Sequence, residues 1–222
     1  MIRALLFDMD GLIVDTEPIH FLAFRAYLRR FGFEMPESLM ASFVGYTEAD
    51  NLRDLKERYG LDKPVEEMVR ERRAVYLELI KTEPIVPFRG FWEVTEEAHG
   101  RGLKQAVVSS SIREHVEIIL RRLFASHPGH HDPREHFHAL VTGDDVARPK
   151  PAPDIYLLAA QRLHVSPADC LALEDTPPGV QAAVGAGMTA IAVRNQYSRE
   201  LEFPGAHAVV DGLRDVLPYL DM

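Results

Sequence analysis

The segment Ala-Leu-Leu-Phe-Asp-Met-Asp-Gly at residues 4–11 joins a short apolar run to a pair of carboxylates. Four consecutive apolar residues without alternation predict a strand that is covered on both faces, as in a parallel sheet. Asp8 and Asp10 follow at its carboxyl end, where open α/β sheets bind their ligands. One carboxylate can attack phosphorus while the other donates and accepts protons, and a cation can sit between them and the phosphate. The alternative is an ordinary turn, because Asp and Gly both favour loops.

Similar apolar runs recur along the chain and alternate with longer helical patterns. They occupy residues 105–108, 139–141, 170–173 and 189–193, and a weaker run lies at 208–210. The helical stretches between them supply the crossovers that neighbouring parallel strands require. The sequence therefore predicts an α/β fold with a doubly wound, Rossmann-like parallel sheet.

One region departs from this alternation, because residues 19–82 show helical patterns and no convincing strand. Helices are expected at 21–31, 49–59 and 65–81. Breaker-rich stretches flank the region, with Asp-Thr-Glu-Pro starting at residue 15 and Glu-Pro-Ile-Val-Pro starting at residue 83. We therefore expect an all-helical cap domain at 16–86, inserted into a core formed by residues 1–15 and 87–222.

The composition excludes several classes of protein. The 222 residues are 46% hydrophobic and 27% charged, as in an ordinary globular protein, and no stretch approaches the ~20 apolar residues of a membrane span. The formal net charge of −9 creates no positive field for nucleic acid or an anionic membrane. Cys170 is the single cysteine, which excludes a disulfide framework and suits a reducing cytosol. We expect a monomeric cytoplasmic protein that binds neither nucleic acid nor membranes.

Three further polar segments follow or lie near predicted strand ends. Val-Val-Ser-Ser-Ser at 107–111 can hold a phosphate with a hydroxyl and the first amides of the next helix, although serine there is also an ordinary N-cap. Lys150 lies between two prolines and offers a fixed positive charge to a transferring phosphoryl group. Glu174 and Asp175 offer the hard oxygen ligands that magnesium prefers, with a helix N-cap as the alternative for Asp175.

All four segments occur in this order, and the helical region follows the first of them directly. In this arrangement the chain is identified as a member of the haloacid dehalogenase superfamily, with its four motifs and a helical cap. The resemblance covers essentially the whole chain. The stretches at 6–17, 150–154 and 173–179 are most similar to the β-phosphoglucomutase-like branch, which contains many small sugar-phosphate phosphatases.

The resemblance implies a role for each residue that matches a motif. Asp8 would be phosphorylated as an aspartyl intermediate, and Asp10 would act first as general acid and then as general base. Ser109 and Lys150 would bind the transferring phosphoryl group, and Ser110 belongs to the same phosphate-binding segment.

A magnesium ion is the cofactor that the resemblance implies. Asp8, the backbone carbonyl of Asp10 and Asp175 would ligate it, with Glu174 as a further ligand directly or through water. An acid at position 10 also argues against dehalogenation, because the dehalogenases of the superfamily use no magnesium and lack that acid. We therefore expect a magnesium-dependent phosphatase acting on a small phosphorylated metabolite.

Two other functions remain open, a sugar-phosphate mutase and a catalytically idle regulatory relative. Arg72 falls where mutase caps carry a substrate-binding lysine, and His20 matches a residue near the mutase active site, so both are candidate substrate ligands. Glu48, in the loop at 44–50, occupies the position of a phosphate-binding arginine of the mutases. This charge reversal favours the phosphatase.

The segment at 126–138 contains five of the ten histidines of the chain. Imidazoles at such spacing can bind zinc or nickel. The Pro, Gly and Asp residues among them favour a solvated turn instead. We include no residue of this loop in the predicted site.

Overall fold

The computed structural model describes residues 1–43, 47–129 and 132–222, and the chain divides into two compact units. The larger unit comprises Met1–Asp15 and Ile85–Met222, and the smaller unit comprises Thr16–Pro84. In chain order the helices are α1 (Glu17–Arg29), α2 (Met40–Phe43), α3 (Glu48–Tyr59), α4 (Val65–Thr82), α5 (Phe91–Gly100), α6 (Arg113–Ala125), α7 (Asp154–Leu163) and α8 (Pro177–Gly185). Short 3₁₀ segments cover Glu37–Leu39, Pro133–Glu135, Gly143–Asp145, Pro167–Asp169 and Leu213–Asp221.

The larger unit is built on a parallel sheet, for which the described residues supply six strands. They are β1 (Ala4–Phe7), β2 (Lys104–Val108), β3 (Ala139–Val141), β4 (Cys170–Glu174), β5 (Thr189–Val193) and β6 (Ala208–Val210), in the order β3-β2-β1-β4-β5-β6. Leu6 of β1 pairs with Ala106 on one side and with Ala172 on the other. The strand order reverses at β1, and such a switch point is where open α/β sheets bind ligands. The predicted α/β fold is confirmed.

Burial explains why the central strands read as continuous apolar runs. All four residues of β1 are fully buried, and β4 is buried along its length. Helix α7 packs against β2 and β3, while α8 packs against β4 and β5. Removing this apolar surface from water is the main favourable contribution to folding. Strand β6 at the sheet edge is only partly buried, which explains its weaker apolar pattern.

The regular structure in the described part of the smaller unit is helical. Helices α1 and α3 both pack against α4. Their apolar side chains form a core that includes Phe24, Leu28, Leu52, Leu55 and Met68. Helix α3 begins where the Thr47 side chain accepts a hydrogen bond from the Asp50 amide, and it ends at Gly60, whose φ of 63° is left-handed. These caps account for the bounds of the helix that the sequence predicts at 49–59.

None of the helices in the described ranges combines the length and the apolar character of a membrane-spanning segment. The longest of them, α4, has 18 residues and carries charged side chains along its length.

Candidate active site

The carboxyl ends of β1, β2 and β4 bring the predicted catalytic side chains together. Lys150 is the centre of this cluster, because its Nζ donates to Asp8 Oδ1 at 2.6 Å and to Glu174 Oε1 at 2.6 Å. It also donates to the Val108 carbonyl at 3.1 Å, so each of its three hydrogens has an acceptor. Asp8 and Lys150 are 142 residues apart in the sequence, and the parallel sheet is what joins them.

The surroundings of Lys150 favour the protonated, positively charged form of its ammonium group. Burial opposes the charge, but attraction by Asp8 and Glu174 outweighs burial and raises the pKa of the ammonium group above its usual value. The Tyr156 hydroxyl on α7 donates to Glu174 Oε1, and the Tyr156 ring lies 5.2 Å from the Lys150 ammonium. Lys150 is therefore a fixed cation, well suited to an anionic ligand.

Three buried carboxylates lie together at this lysine, which bonds two of them, Asp8 and Glu174. Asp8, Glu174 and Asp175 each offer an oxygen, and these atoms lie within 4.8 Å of one another. Burial raises the pKa of Asp8 to about 8 and that of Asp175 well above its usual value, and the charge of Glu174 raises both further. Asp175 Oδ1 is buried and has no hydrogen-bond partner among the described residues. Hard oxygen donors, excess negative charge and an unpartnered carboxylate oxygen all fit a magnesium ion.

Two glycines leave room for these carboxylates. Gly11 has a φ of +86°, and a Cβ there would overlap the Asp175 carboxylate. A Cβ at Gly179 would overlap the Glu174 carboxylate. Close approach of a carboxylate thus requires glycine at both positions, and at Gly11 the left-handed φ requires it as well.

Asp10 is held differently, by hydroxyl groups. Its Oδ2 accepts from Ser111 Oγ at 2.9 Å and from Ser109 Oγ at 3.2 Å. The Ser111 amide in turn donates to Ser109 Oγ at 3.0 Å. Ser110, which the sequence analysis selects, is exposed, whereas Ser111, which it omits, contacts Asp10.

His20 and Arg72 both belong to the smaller unit and contact each other. Arg72 Nη2 lies 2.7 Å from His20 Nδ1 and 3.0 Å from the His20 carbonyl, and its Nη1 donates to Glu48 at 3.1 Å. The Arg72 side chain is 2% exposed, and its guanidinium lies 4.3 Å from the centre of the Phe24 ring. Burial lowers the pKa of Arg72, and Glu48 opposes this effect. Contact of His20 and Arg72 with a substrate stays a prediction.

The histidine-rich segment is only partly described, since His130 and His131 lie outside the described residues. His127 packs on Trp92, with ring centres 4.2 Å apart, and His138 Nδ1 accepts from the Gln105 amide at 3.1 Å. Within the described ranges, no histidine of this segment belongs to a group of three metal-ligating side chains.

Asn195 is a site residue that the sequence analysis misses. It lies two residues after β5, and its side chain donates to both Asp175 and the Gly11 carbonyl. Its position just past a strand end, like those of Asp8 and Ser109, is the signal that could have identified it.

Comparison with known proteins supplies an independent assignment. The family model described as haloacid dehalogenase-like hydrolase matches residues 5–193. The chain is 33% identical to the phosphorylated carbohydrates phosphatase of Thermotoga maritima, covering 85% of this chain and 83% of the relative. It is 31% identical to the β-phosphoglucomutase of Bacillus subtilis, covering 86% and 83%.

A solved structure is similar over the full length of both chains. It is CbbY from Rhodobacter sphaeroides in complex with phosphate, with a TM-score of 0.83, 30% identity and 100% coverage of each chain. The matched sequence, the shared fold and the convergence of four separate segments on one buried cluster agree. The chain belongs to the haloacid dehalogenase-like hydrolase family, among its β-phosphoglucomutase-like relatives, and is an enzyme of the hydrolase class.

Proposed function

We propose that this protein is a magnesium-dependent phosphatase that hydrolyses a small phosphorylated metabolite, such as a sugar phosphate, through an aspartyl-phosphate intermediate. The observation that carries the proposal is the buried triad in which Lys150 bonds both Asp8 and Glu174. The similarity to a phosphatase of phosphorylated carbohydrates and to a phosphate-bound structure supports the substrate class.

In the first half of the reaction, a carboxylate oxygen of Asp8 attacks phosphorus. We assign the attack to Oδ2, because Oδ1 is bonded to Lys150. The bond between phosphorus and the ester oxygen breaks, and Asp10 donates a proton to the departing oxygen. Lys150 and the Ser109 hydroxyl stabilise the charge on the phosphoryl oxygens.

In the second half, Asp10 accepts a proton from a water molecule as that water attacks the phosphorus of the aspartyl phosphate. The bond to Asp8 breaks, and inorganic phosphate leaves with the carboxylate restored. Asp10 therefore alternates between acid and base, and its position beside the hydroxyls of Ser109 and Ser111 keeps it next to the phosphate-binding segment.

Asp8, Asp175 and the backbone carbonyl of Asp10 would hold the magnesium ion, and Glu174 would contribute directly or through water. When bound, the ion supplies positive charge that stabilises the phosphoryl group and orients it. The two oxygens of Glu174 already accept bonds from Lys150, Tyr156 and Thr176, so its main role here is to hold the lysine.

A phosphate-release screen tests the proposal. Sugar phosphates, polyol phosphates, phosphoglycolate and nucleotides would be offered with magnesium and with a chelator. We expect activity with magnesium only. Asp8→Asn should lower turnover at least about 10³-fold, because an amide cannot form the intermediate. Retention of the wild-type circular dichroism spectrum is the control, and smaller losses would contradict the role of Asp8.

The mutase is the second candidate, because a β-phosphoglucomutase is among the relatives. A mutase must grip the distal phosphate of a bisphosphate. Glu48 carries a negative charge at the corresponding position, and its carboxylate pairs with both Arg72 and Arg73 at 3.1 and 2.7 Å. Repulsion of about 1–4 kcal/mol between a carboxylate and a phosphate in contact would weaken bisphosphate binding tenfold or more, and the arginines paired with Glu48 offset part of this repulsion.

We therefore expect net phosphate release without conversion of β-glucose 1-phosphate to glucose 6-phosphate, even with a bisphosphate primer. A coupled dehydrogenase assay measures the conversion, and Glu48→Arg is the variant expected to strengthen bisphosphate binding. Conversion faster than hydrolysis would establish the mutase instead. The complete set of site acids disfavours the third candidate, a catalytically idle regulatory relative. The cytoplasmic location and the monomeric state stay predictions.

A further inference from the structure

We propose that Asn195 is a positioning residue for the cation site, whose side-chain amide fixes the carboxylate of Asp175 so that Asp175 Oδ1 is the ligating oxygen. The inference rests on the proposed function, since it takes Asp175 as a magnesium ligand. It assigns a role to a residue outside the four segments that the sequence analysis identifies.

The Asn195 side chain makes a complete set of hydrogen bonds on its donor side. Asn195 is buried, and its Nδ2 donates to Asp175 Oδ2 at 2.9 Å and to the Gly11 carbonyl at 2.8 Å. Both hydrogens of the amide are therefore used. This nitrogen therefore links residues that follow three different strands, β1, β4 and β5.

The acceptor side fixes the orientation of the amide. Asn195 Oδ1 accepts from the Tyr197 amide at 2.7 Å and from the Ser198 amide at 3.0 Å. The Ser198 hydroxyl adds a contact with Oδ1 at 3.3 Å and accepts from the Asn195 amide at 3.0 Å. If the side-chain amide were flipped, its nitrogen would face two N–H donors and its oxygen would face two acceptor oxygens. Only the observed orientation therefore satisfies these hydrogen bonds.

This restraint is useful at Asp175 because of its surroundings. Asp175 lies beside Asp8 and Glu174, and like charges in a buried cluster push one another apart. With Oδ2 bonded to Asn195, Oδ1 is left buried and without a hydrogen-bond partner in the described structure. A neutral amide can orient an anionic ligand without adding a positive charge that would compete with a cation. Lysine or arginine at position 195 would lack this advantage.

The test is the magnesium affinity of the metal-free protein, measured by isothermal titration calorimetry without substrate. Removal of a group that orients a metal ligand typically weakens metal binding about 10–100-fold, and we expect that loss for Asn195→Ala. Asn195→Ser is the second variant, because a serine oxygen can still accept from the backbone amides of the turn while lacking the paired donors. It should lose affinity to a similar extent.

Two neighbouring variants separate positioning from a purely structural role. Gln196 is exposed and bonds Asp15, so Gln196→Ala changes the same turn without touching Asp175. Ser198→Ala removes the hydroxyl contacts of the turn but keeps the two backbone amides that donate to Asn195 Oδ1. Both should leave the magnesium dissociation constant within about twofold of wild type. In activity assays Asn195→Ala should raise the magnesium concentration for half-maximal rate and leave kcat at saturating magnesium close to wild type.

The outcomes distinguish this inference from the proposed function. Unchanged magnesium affinity in Asn195→Ala and Asn195→Ser would overturn the inference, as would an equal loss in Ser198→Ala or the absence of magnesium binding by the wild type. Magnesium binding that depends on Asn195, in a protein that releases no phosphate from any substrate, would support the inference while the proposed function fails.

Discussion

At the scale of single residues, the two aspartates of the first segment have different surroundings. Asp8 is bonded to a lysine, whereas Asp10 is bonded to the hydroxyls of Ser109 and Ser111. Attraction by Lys150 favours the ionised form of Asp8, but burial outweighs it and raises the pKa of this carboxyl to about 8. The proposed division into nucleophile and acid thus pairs each role with a different set of partners.

Asp10→Asn tests this division. The amide cannot donate a proton to a leaving oxygen, so hydrolysis of an alkyl phosphate should slow by roughly the 10²–10⁴ of one general acid. An activated aryl phosphate, whose leaving group needs no proton, should lose much less. The measurement compares kcat/KM for the two substrates in wild type and variant. Equal losses on both substrates would contradict the assignment of Asp10.

At the scale of elements, one carboxylate ties the turn after β3 to two helices. Asp145 accepts from Arg113 of α6 at 2.6 Å and from Arg162 of α7 at 2.9 Å, and it also accepts from the Thr142 amide. The same turn contacts the serine segment at 109–111, since the Gly143 amide donates to the Ser111 carbonyl at 3.0 Å. The network therefore holds the segment that positions Asp10.

Asp145 gives this network a dependence on pH. Burial alone would raise the pKa of Asp145, but hydrogen bonds from Arg162 and Thr142 and the charge of Arg113 bring it below the usual 3.8. Its contribution to stability is therefore complete above pH 3.8 and is lost as pH falls below that value. Asp145→Asn should cost about 1–3 kcal/mol in the free energy of unfolding at pH 7.

Urea unfolding of wild type and Asp145→Asn at a series of pH values from neutral to strongly acidic checks this prediction. The difference between the two proteins should be constant at neutral pH and should shrink in the acidic range. A difference that is the same at all pH values would show that the ion pairs of Asp145 contribute nothing specific.

The sequence predicts the strands closely, whereas the helix expected at 21–31 is observed as α1 at Glu17–Arg29, and the supporting contacts of the site are not predicted. The apolar run at 189–193 predicts β5 with its observed bounds, because burial on both faces leaves a local pattern. Tyr156 leaves no such signal, since an aromatic residue on the buried face of α7 has the pattern of an ordinary core residue. Asn195 bonds the carbonyl of Gly11, which lies 184 residues earlier in the sequence, and no local sequence pattern predicts such a contact. Asp8 and Lys150 were identified because their chemistry is unusual at a strand end or between prolines.

At the scale of the whole molecule, Cys170 reports on the integrity of the sheet. It begins the central strand β4 and is fully buried, and burial raises the pKa of its thiol to about 11, with a smaller contribution from Asp169. At pH 8 only about one thiol in a thousand would be ionised, and reagents cannot reach it without opening the sheet. Because it is the single cysteine, every labelling event reports this strand.

We therefore expect negligible reaction of the native protein with a chromogenic disulfide reagent at pH 8. Addition of urea should accelerate labelling in parallel with global unfolding measured by circular dichroism. Cys170→Ala, which should give no signal, is the control for reagent background. Complete labelling within minutes in native buffer would show that β4 opens independently of the rest of the sheet.

The position of β1 in the sheet also matters while the protein is being made. β1 leaves the ribosome among the first residues of this sequence, but β4, which covers one of its edges, begins more than 160 residues later. At a synthesis rate of about 5–20 residues per second, the apolar strand that precedes Asp8 waits roughly 10–30 s for its partner. During that interval the backbone groups of β1 on the edge that β4 covers have no strand partner. The same order of synthesis delays any catalysis until most of the chain has emerged.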